Sequence, residues 1–356
     1  MPTPAALRAY DDPASFESIE IPTNGITLRV RVAGSKASKK LALCLHGFPE
    51  SSYSWRYQMQ LLADLGYRVY APDLRGYGDS DKPARVADYR MQELVQDVAG
   101  LIDHFRKDAP DGGAARRGEQ SSPQERERGG VFDDRVTRGP GAPEPPSRAE
   151  GASEEVIVIA HDWGGVVAWH FALRRVRKID RLVILNIPHP RRMAQALSRL
   201  GPQIRRSWYI FLFQLPFIPE RYLARNDYHA IGAAFASMAV DRSRFPEEVL
   251  RIYKRSAAIP GALRGMLAYY RAAVRYRTTV KYPPLETPTL MIWGEDDTAL
   301  GKELTDRTDE LVRDLTLRFV PRCSHWVQQE APEVVNALLT DWLTGKKVRE
   351  AAEIPR

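Results

Sequence analysis

The feature that most constrains the fold is a pentad of small and polar residues, Ala160-His161-Asp162-Trp163-Gly164, directly after the mostly apolar run 155–159. The β-branched residues of this run predict a buried strand, and residues 165–173 have helical spacing. A strand that passes into a helix through small residues makes a sharp turn, which holds its central side chain above the sheet. That side chain is Asp162, a carboxylate that is ionised at neutral pH and needs no base to act as a nucleophile.

Composition places the chain among ordinary globular proteins. Of its 356 residues, 44% are hydrophobic and 27% are charged, which suits one main domain with a sizeable insertion. The net charge of +7 is interspersed with acidic residues, which favours a solvated surface over a nucleic-acid interface. We predict a cytoplasmic protein without a membrane span, because no signal peptide and no long apolar run is evident. Cys44 and Cys323 have neither metal-ligand nor disulfide spacing.

Strands and helices alternate along most of the chain. Two strands within about 15–35, turned by Asn24-Gly25, predict a hairpin. Buried strands are predicted at 40–45, 67–72, 155–159, 181–187, 289–297 and 315–320, and helices at about 55–66, 91–105, 165–173, 332–344 and between the last two strands. This alternation predicts an α/β fold, with a mostly parallel central sheet and helices on both faces.

Two stretches interrupt the alternation. Residues 107–154 are rich in Gly, Pro, Ser, Arg and Glu and nearly free of large apolar side chains. Because such a segment cannot offset the entropy of ordering, we predict a disordered insertion whose deletion catalysis tolerates. Residues 189–281 are aromatic and helical without a strand run, which predicts a helical lid domain. The core is therefore assigned to 1–188 and 282–356.

Three polar side chains follow predicted strands in the chain order Asp162, Asp297, His325. Ligands of open parallel sheets bind beyond the carboxyl ends of the strands, so we expect these side chains to meet there. This order of nucleophile, acid and histidine resembles the α/β-hydrolase fold. The Trp-Gly-Glu-x-Asp pattern of that fold selects Asp297 over its neighbour Asp296, and Asn186, after an earlier strand, cannot be an anionic partner.

A tight loop, His46-Gly47-Phe48-Pro49-Glu50, follows the strand 40–45. A glycine and an X-Pro step constrain the backbone at the carboxyl end of this strand. The backbone N–H of Phe48 is therefore a candidate donor to an oxyanion. The alternative is a plain loop between a strand and a helix.

Within that fold the residues resemble the epoxide hydrolases, over most of the chain outside the insertion and the termini. The motifs are the His46-Gly47-Phe48-Pro49 loop, the Asp162 turn, and the tyrosines Tyr209 and Tyr270. The membrane-anchored vertebrate members are particularly similar in the lid, but this chain lacks their amino-terminal anchor and adds the long loop. The resemblance implies that Tyr209 and Tyr270 hydrogen-bond the epoxide oxygen. On a helix, Tyr269 points about 100° away from Tyr270, so one of the pair should face the site.

The resemblance implies a two-step reaction that requires no metal or cofactor. Asp162 attacks an apolar epoxide while the tyrosines protonate its oxygen, because ring opening forms a strongly basic alkoxide. His325, oriented by Asp297, then activates a water molecule that hydrolyses the ester to a vicinal diol. The backbone N–H groups of Phe48 and Trp163 hold the oxyanion. We expect an apolar substrate pocket lined by three residues in particular: His46, Trp163 and Trp326.

Three alternatives share parts of this pattern. A haloalkane or haloacid dehalogenase uses the same triad, and Trp163 suits its halide site, but Phe48 stands where an Asn often falls. A catalytically silent ligand-binding member is disfavoured by the intact nucleophile, acid, histidine and tyrosine pair. A serine hydrolase is disfavoured because Asp162 occupies the position of the nucleophile.

Overall fold

The computed structural model describes residues 9–108, 154–198, 201–276 and 283–356. Within these ranges one sheet contains the strands β1 (Glu17–Thr23), β2 (Ile26–Ala33), β3 (Lys40–Leu45), β4 (Arg68–Pro72), β5 (Glu155–His161), β6 (Arg181–Leu185), β7 (Thr289–Gly294) and β8 (Leu315–Val320). Their order is β1-β2-β4-β3-β5-β6-β7-β8. Both pairings of β2 are antiparallel, and all later neighbours are parallel. The predicted α/β class with a mostly parallel sheet is confirmed.

The helices of the described residues connect these strands. They are α1 (Arg56–Asp64), α2 (Met91–Asp108), α3 (Asp162–Leu173), α4 (Pro190–Ser198), α5 (Pro202–Arg206), α6 (Trp208–Leu212), α7 (Ile218–Met238), α8 (Glu247–Ala258), α9 (Ala262–Arg275), α10 (Val327–Glu330) and α11 (Pro332–Leu343). None of the helices in these ranges combines the length and the apolar character that crossing a bilayer requires.

Strand β5 lies in the middle of the sheet and contributes to two separate cores. Val156 and Val158 belong to one hydrophobic cluster, while Ile157 and Ile159 belong to another. All four side chains are fully buried. Both faces of the sheet are therefore covered, as a parallel sheet requires. Strand β5 holds the residues that follow it at a fixed position, at the carboxyl ends of the parallel strands.

The predicted hairpin is present. β1 and β2 are joined by Asn24 and Gly25, with φ values of 44° and 74°. Two consecutive positive φ values are those of a type I′ turn, which Asn-Gly favours.

The predicted helix between β7 and β8 is wrong. The chain instead makes two short 3₁₀ helices, Lys302–Thr305 and Thr308–Glu310. The Asp297 side chain accepts the backbone N–H groups two and three residues later, so it holds the start of this segment in a turn. Arg307 then has a φ of 56°, which separates the two short helices.

A helical insertion, defined here as residues 190–198 and 201–276, follows β6. Among the described residues it contains α4 to α9, and the next strand of the sheet is β7. Helix α7 is broken at 225–228, where the backbone dihedral angles are not helical. The residue range predicted for the lid, 189–281, includes all residues of this helical insertion.

The predicted insertion at 107–154 lies mostly outside the described residues. Helix α2 continues to Asp108, two residues into the predicted insertion, and Glu154 directly precedes β5. Arg106 Nε and Glu154 Oε1 are 2.6 Å apart. The chain therefore leaves and returns at neighbouring points, at the amino end of β5. Tolerance of catalysis to deletion of this segment stays a prediction.

Candidate active site

Asp162 occupies the sharp turn between β5 and α3. Its φ is 46°, a left-handed conformation that residues with a Cβ rarely adopt. Gly164 permits the close packing of this turn, because a Cβ there would overlap the backbone oxygens of Leu45 and His46. The backbone N–H of Phe48 donates to Asp162 Oδ1 at 2.9 Å. The turn therefore fixes one carboxylate oxygen and leaves Oδ2 for other partners.

His325 lies between two carboxylates after β8. Its Nδ1 is 2.7 Å from Asp297 Oδ2, and its Nε2 is 3.6 Å from Asp162 Oδ2. Asp297 is buried, whereas the neighbouring Asp296 is exposed. The structure thus brings together the three side chains that the chain order singled out, with Asp297 as the carboxylate next to the histidine.

The charges of this group stabilise one another. Burial opposes a charge on His325, but Asp297 and Asp162 outweigh it and raise the pKa of His325 to about 10. Burial would also raise the pKa of Asp162, yet the hydrogen bond and charge of His325 lower this pKa below its usual range. At neutral pH, Asp162 is therefore ionised and available as a nucleophile, and His325 carries a proton.

Asn186 supports the acid, a role that the sequence analysis missed. Its Nδ2 donates to Asp297 Oδ2 at 2.8 Å, and its Oδ1 accepts the N–H of Gly294 at 2.9 Å. Asp297 Oδ1 accepts two backbone N–H groups of the following turn. Three hydrogen-bond donors therefore hold the Asp297 carboxylate in place beside His325. In the sequence, the feature that could have indicated this role is a polar residue at the end of a predicted buried strand.

A buried polar cluster that the sequence analysis also missed lies beside the triad. Glu50 is fully buried and accepts the side-chain amides of Gln328 and Gln329, each at 2.8 Å. His161 Nδ1 is 2.8 Å from Glu50 Oε2, and its Nε2 is 2.8 Å from the backbone oxygen of His325. Burial would raise the pKa of Glu50, but His161 and the other donors lower it. The His161 ring thereby links an ionised carboxylate to the backbone that carries His325.

Two tyrosines of the helical insertion face the same cavity as Asp162. Tyr209 on α6 and Tyr270 on α9 both line this cavity, and their ring centroids are 5.9 Å apart. Burial, followed by the charge of Asp162, raises the pKa of Tyr209. Burial also raises the pKa of Tyr270 well above its usual value. Both phenols therefore keep their protons at neutral pH.

Tyr269 differs from its neighbour Tyr270. Its hydroxyl donates to the backbone oxygen of Arg75 at 2.9 Å. Its ring packs edge-on against Trp163, with 5.6 Å between ring centroids, and still forms part of the cavity wall. The expectation that one tyrosine of the pair points away therefore holds for the hydroxyl and is wrong for the ring.

Arg271 braces the two tyrosines, although the sequence analysis gave it no role. Its Nε and Nη2 donate to backbone oxygens in 213–215 at 2.9 and 2.8 Å, and its Nη1 pairs with Glu220 at 2.6 Å. Tyr270 precedes Arg271 on α9, and Tyr209 lies one turn before the braced segment. These contacts fix the relative position of the two phenols. In the sequence, the feature that could have indicated this role is an arginine directly after two tyrosines in a mostly apolar segment.

The cavity has a volume of about 1430 Å³, and Trp163 lines it as expected. His46 and Trp326 are not among its lining residues, so these two pocket predictions are corrected. His46 is fully buried, and its Nε2 accepts the N–H of Leu74 at 3.0 Å. Trp326 packs against Phe235, with 4.4 Å between ring centroids. Neighbouring elements enclose both rings, so they support the wall of the site without forming it.

Backbone N–H groups also lie near Asp162. The N–H of Phe48 already contacts Asp162, and Trp163 is the second residue of α3. The N–H groups in the first turn of a helix have no acceptor within the helix, so they are available to an anionic oxygen. Within the described ranges, no group of three or more His, Cys, Asp or Glu side chains is placed to hold a metal ion.

Comparison with known proteins identifies the family. Residues 42–338 match the alpha/beta hydrolase family. The chain is 37% identical to AB hydrolase superfamily protein YfhM of Bacillus subtilis strain 168, over 90% of this chain and 96% of that protein. It is 33% identical to epoxide hydrolase 3 of Xenopus tropicalis, over 91% of this chain and 77% of that protein.

The fold is shared with a solved structure. The crystal structure of Bacillus megaterium epoxide hydrolase in complex with an inhibitor matches with a TM-score of 0.72 at 24% identity, over 92% of this chain and 100% of that chain. The chain therefore belongs to the alpha/beta hydrolase family, as an enzyme of its epoxide hydrolase group.

Proposed function

We propose that this enzyme converts an apolar epoxide and water to a vicinal diol through a covalent ester on Asp162. The observation that carries the proposal is the pair of protonated phenols, Tyr209 and Tyr270, on the same cavity as the nucleophile. An opening epoxide forms an alkoxide, which is strongly basic and needs a proton. A departing halide is the anion of a strong acid and needs none. Two phenols therefore favour an epoxide over a haloalkane as the substrate.

In the first step Asp162 opens the epoxide ring. Oδ2 is the attacking oxygen, because Oδ1 accepts the hydrogen bond from Phe48. The new bond joins Oδ2 to an epoxide carbon, the bond from that carbon to the ring oxygen breaks, and a phenol of Tyr209 or Tyr270 supplies the proton. The products of this step are a neutral hydroxyalkyl ester on Asp162 and the phenolate of the tyrosine that gave its proton.

In the second step His325 activates the water that attacks the ester carbonyl. Ester formation removes the charge of Asp162, one of the two carboxylates that raise the pKa of His325. This pKa therefore falls in the intermediate, so the imidazolium gives up its proton, which restores the phenol that was deprotonated in the first step, and the neutral ring can then take a proton from water. Asp297 keeps the ring oriented, and the N–H groups of Phe48 and Trp163 hold the negative oxygen of the tetrahedral intermediate.

We further assign the lid to 189–281 and the α/β core to 1–188 and 282–356. The assignment is supported by Tyr209 and Tyr270, which bring the proton donors from the helical insertion, while the nucleophile and base follow strands of the sheet. Under this assignment, the core carries the residue that forms the ester, and the lid carries residues that enclose the substrate.

The test uses a panel of aryl and alkyl epoxides together with chlorinated and fluorinated analogues. Diol is quantified by chromatography, and halide release is measured alongside. We expect diol and no halide from the wild type, and a loss of about 10⁴-fold or more in Asp162→Ala. Asp296→Ala, which removes an exposed carboxylate near the site, is the matched control and should keep its activity.

Two outcomes would contradict the proposal. Halide release without diol would replace it with a dehalogenase in which both tyrosines only pack. Neither product, from a folded protein that still binds the epoxides, would indicate a ligand-binding member of the family.

A further inference from the structure

The end of helix α7 meets the loop that carries His325. Phe235, in the last turn of α7, packs against Trp326, the residue after His325, with 4.4 Å between ring centroids. The helix ends at Met238, and the chain turns away from the helix over the next three residues. The helical insertion therefore contacts the general base of the proposed mechanism through a helix other than the two that carry the tyrosines.

Glu330 joins the two sides of this contact. Its side chain is buried, and Oε1 accepts the backbone N–H groups of Val240 and Asp241 at 3.0 and 2.8 Å. Its Oε2 accepts the backbone N–H of Ser324 at 3.1 Å and also accepts the Ser324 hydroxyl. One oxygen therefore holds the chain after α7, and the other holds the residue before His325.

Ser324 extends this hold to the other side of His325. Its hydroxyl oxygen accepts the backbone N–H of Trp326 at 3.4 Å. The Ser324 backbone also packs directly on Gly294 at the end of β7, where a Cβ would overlap the Ser324 carbonyl oxygen. The residues before and after His325 are therefore both held, and Glu330 provides two of the hydrogen bonds.

The donors around Glu330 suit a carboxylate in particular. A buried carboxylate is costly unless its oxygens accept enough hydrogen bonds, and here three N–H groups and one hydroxyl converge on it. A glutamine would turn its own NH₂ group toward one of the two sets of donors. The steps of the proposed mechanism use no atom of Glu330, so any part that it plays in the reaction must act through His325.

We propose that Glu330 is a positioning residue, which couples the docking of α7 to the alignment of His325 for ester hydrolysis. The inference rests on the proposed two-step function and adds a residue to its second step. Small displacements of a reacting group cost large factors in rate. Loss of the hold on His325 should therefore slow ester hydrolysis, whereas ester formation depends on Asp162 and the two tyrosines and should keep its rate.

The test measures the two steps separately in Glu330→Gln, with an aryl epoxide that the wild type converts to diol. Rapid quench gives the rate of epoxide loss in a single turnover, and intact-protein mass spectrometry gives the decay of the adduct. We expect ester formation within about 2-fold of the wild type and ester hydrolysis slower by about 10–10²-fold, so that the adduct accumulates.

The matched control is Glu333→Gln. Glu333 also joins the core to the helical insertion, because it pairs with Arg244 at 3.0 Å. Its replacement weakens the same contact between the two regions and leaves the bonds between Glu330 and Ser324 in place. Both steps should therefore keep their rates in this variant.

Ser324→Ala tests the hold on His325 without changing a charge. The substitution removes the hydroxyl that contacts Glu330 and accepts the N–H of Trp326. We expect ester hydrolysis to slow by about 5-fold, the factor that one hydrogen bond of ordinary strength supplies, and ester formation to keep its rate. This variant decides the matter if Glu330→Gln does not fold.

The pH profile of ester hydrolysis in Ser324→Ala distinguishes a displaced ring from a general loss of structure. Asp297, Asp162 and His161 face the His325 ring, and Glu50 lies behind His161. In the ester, Asp162 is uncharged, so Asp297 is the carboxylate that still contacts the ring. The rate should rise with pH as His325 loses its proton. A displaced ring interacts less with Asp297, so its pKa falls and the rise moves to lower pH.

Four outcomes would overturn the inference while the proposed function still stood. They are wild-type ester hydrolysis in Glu330→Gln, or in Ser324→Ala; equal slowing of both steps in Glu330→Gln; equal slowing of ester hydrolysis in Glu330→Gln and Glu333→Gln; and a rise at the wild-type pH in Ser324→Ala. The second and fourth would leave Glu330 with a purely structural role. Absence of both adduct and diol with the wild type would refute the proposed function instead.

Discussion

The strand ends and the helical insertion build the site by different means. At the strand ends, hydrogen bonds fix each polar group: Phe48 holds Asp162, and Asn186 with two backbone N–H groups holds Asp297. In the helical insertion, aromatic packing predominates, with Phe213 only 5.6 and 5.0 Å from the rings of Tyr209 and Tyr270. The insertion also exposes several large apolar side chains to solvent: Trp208, Phe211, Phe217 and Tyr222.

The difference follows from what each region has to do. In the proposed mechanism, attack by a carboxylate and then by water requires the reacting atoms to be placed closely, and small displacements cost large factors in rate. Parallel strands meet this need, because their carboxyl ends are held by the whole sheet. Packed rings on helices tolerate larger displacements of their atoms. This tolerance suits a region that selects the substrate. We therefore expect larger effects from substitutions at the strand ends than from substitutions in the helical insertion.

The largest effect is expected at the strand ends. His325→Gln should lower steady-state diol formation by about 10³–10⁴-fold and leave the ester on Asp162, because His325 acts only in the second step. Intact-protein mass spectrometry after substrate addition should show an adduct of one substrate mass. His229→Gln, at an exposed position, is the control. Substrate consumption without any adduct would contradict the two-step account.

The next effect concerns the phenols of the helical insertion. Tyr209→Phe and Tyr270→Phe should each slow ester formation by about 10-fold, and the double variant by about 10³-fold, because each phenol alone can still supply a proton. Rapid-quench measurement of a single turnover separates this step from ester hydrolysis. Tyr222→Phe, at a largely exposed position on α7, should have no effect. Full activity of the double variant would remove the tyrosines from the mechanism.

A smaller effect is expected from the brace of the helical insertion. Arg271→Met removes its contacts to 213–215 and to Glu220, so the two phenols lose their alignment. We expect ester formation to slow by about 10-fold while ester hydrolysis, which depends on the strand ends, keeps its rate. Arg275→Met on the same helix is the matched control, because Arg275 is exposed. Equal slowing of both steps would show that the two regions are not separable.

The smallest effect is expected on the solvent side of the helical insertion. Phe217→Ala should change the free energy of unfolding by at most about 0.5 kcal/mol, because Phe217 is 76% exposed. Phe235→Ala on α7, the helix that begins directly after Phe217, should cost about 3–5 kcal/mol, because its ring is fully buried. Urea unfolding measures both. A large loss in Phe217→Ala would mean that this side chain is covered in solution.

The sequence was sufficient to predict the sheet and the chain order of the candidate catalytic residues. Buried strands have strong local sequence patterns, and the residues directly after parallel strands lie at the same end of the sheet. The sequence could therefore place Asp162, Asp297 and His325 close together. The tyrosines came from the resemblance, since an aromatic segment alone does not distinguish a core ring from a site ring. Their common position on one cavity appears only in the structure.

What the sequence could not predict depends on distant partners. Asn186 meets Asp297, and Glu50 meets His161, across 111 residues of chain in each case. The segment after β7 has the length for a helix, but hydrogen bonds to Asp297 hold its start in a turn. His46 was assigned to the pocket by its motif, whereas its contact with the Leu74 backbone buries it behind the wall.

In the proposed mechanism, an oxygen of Asp162 passes into the diol. The most direct test is a single turnover in water labelled with oxygen-18, with enzyme in excess over the epoxide, followed by mass spectrometry of the diol and of the peptide that contains Asp162. We expect the label in the Asp162 carboxylate and an unlabelled first diol, because water attacks the ester carbonyl. Label in the first diol and none in the peptide would show direct attack of water on the epoxide and contradict the account.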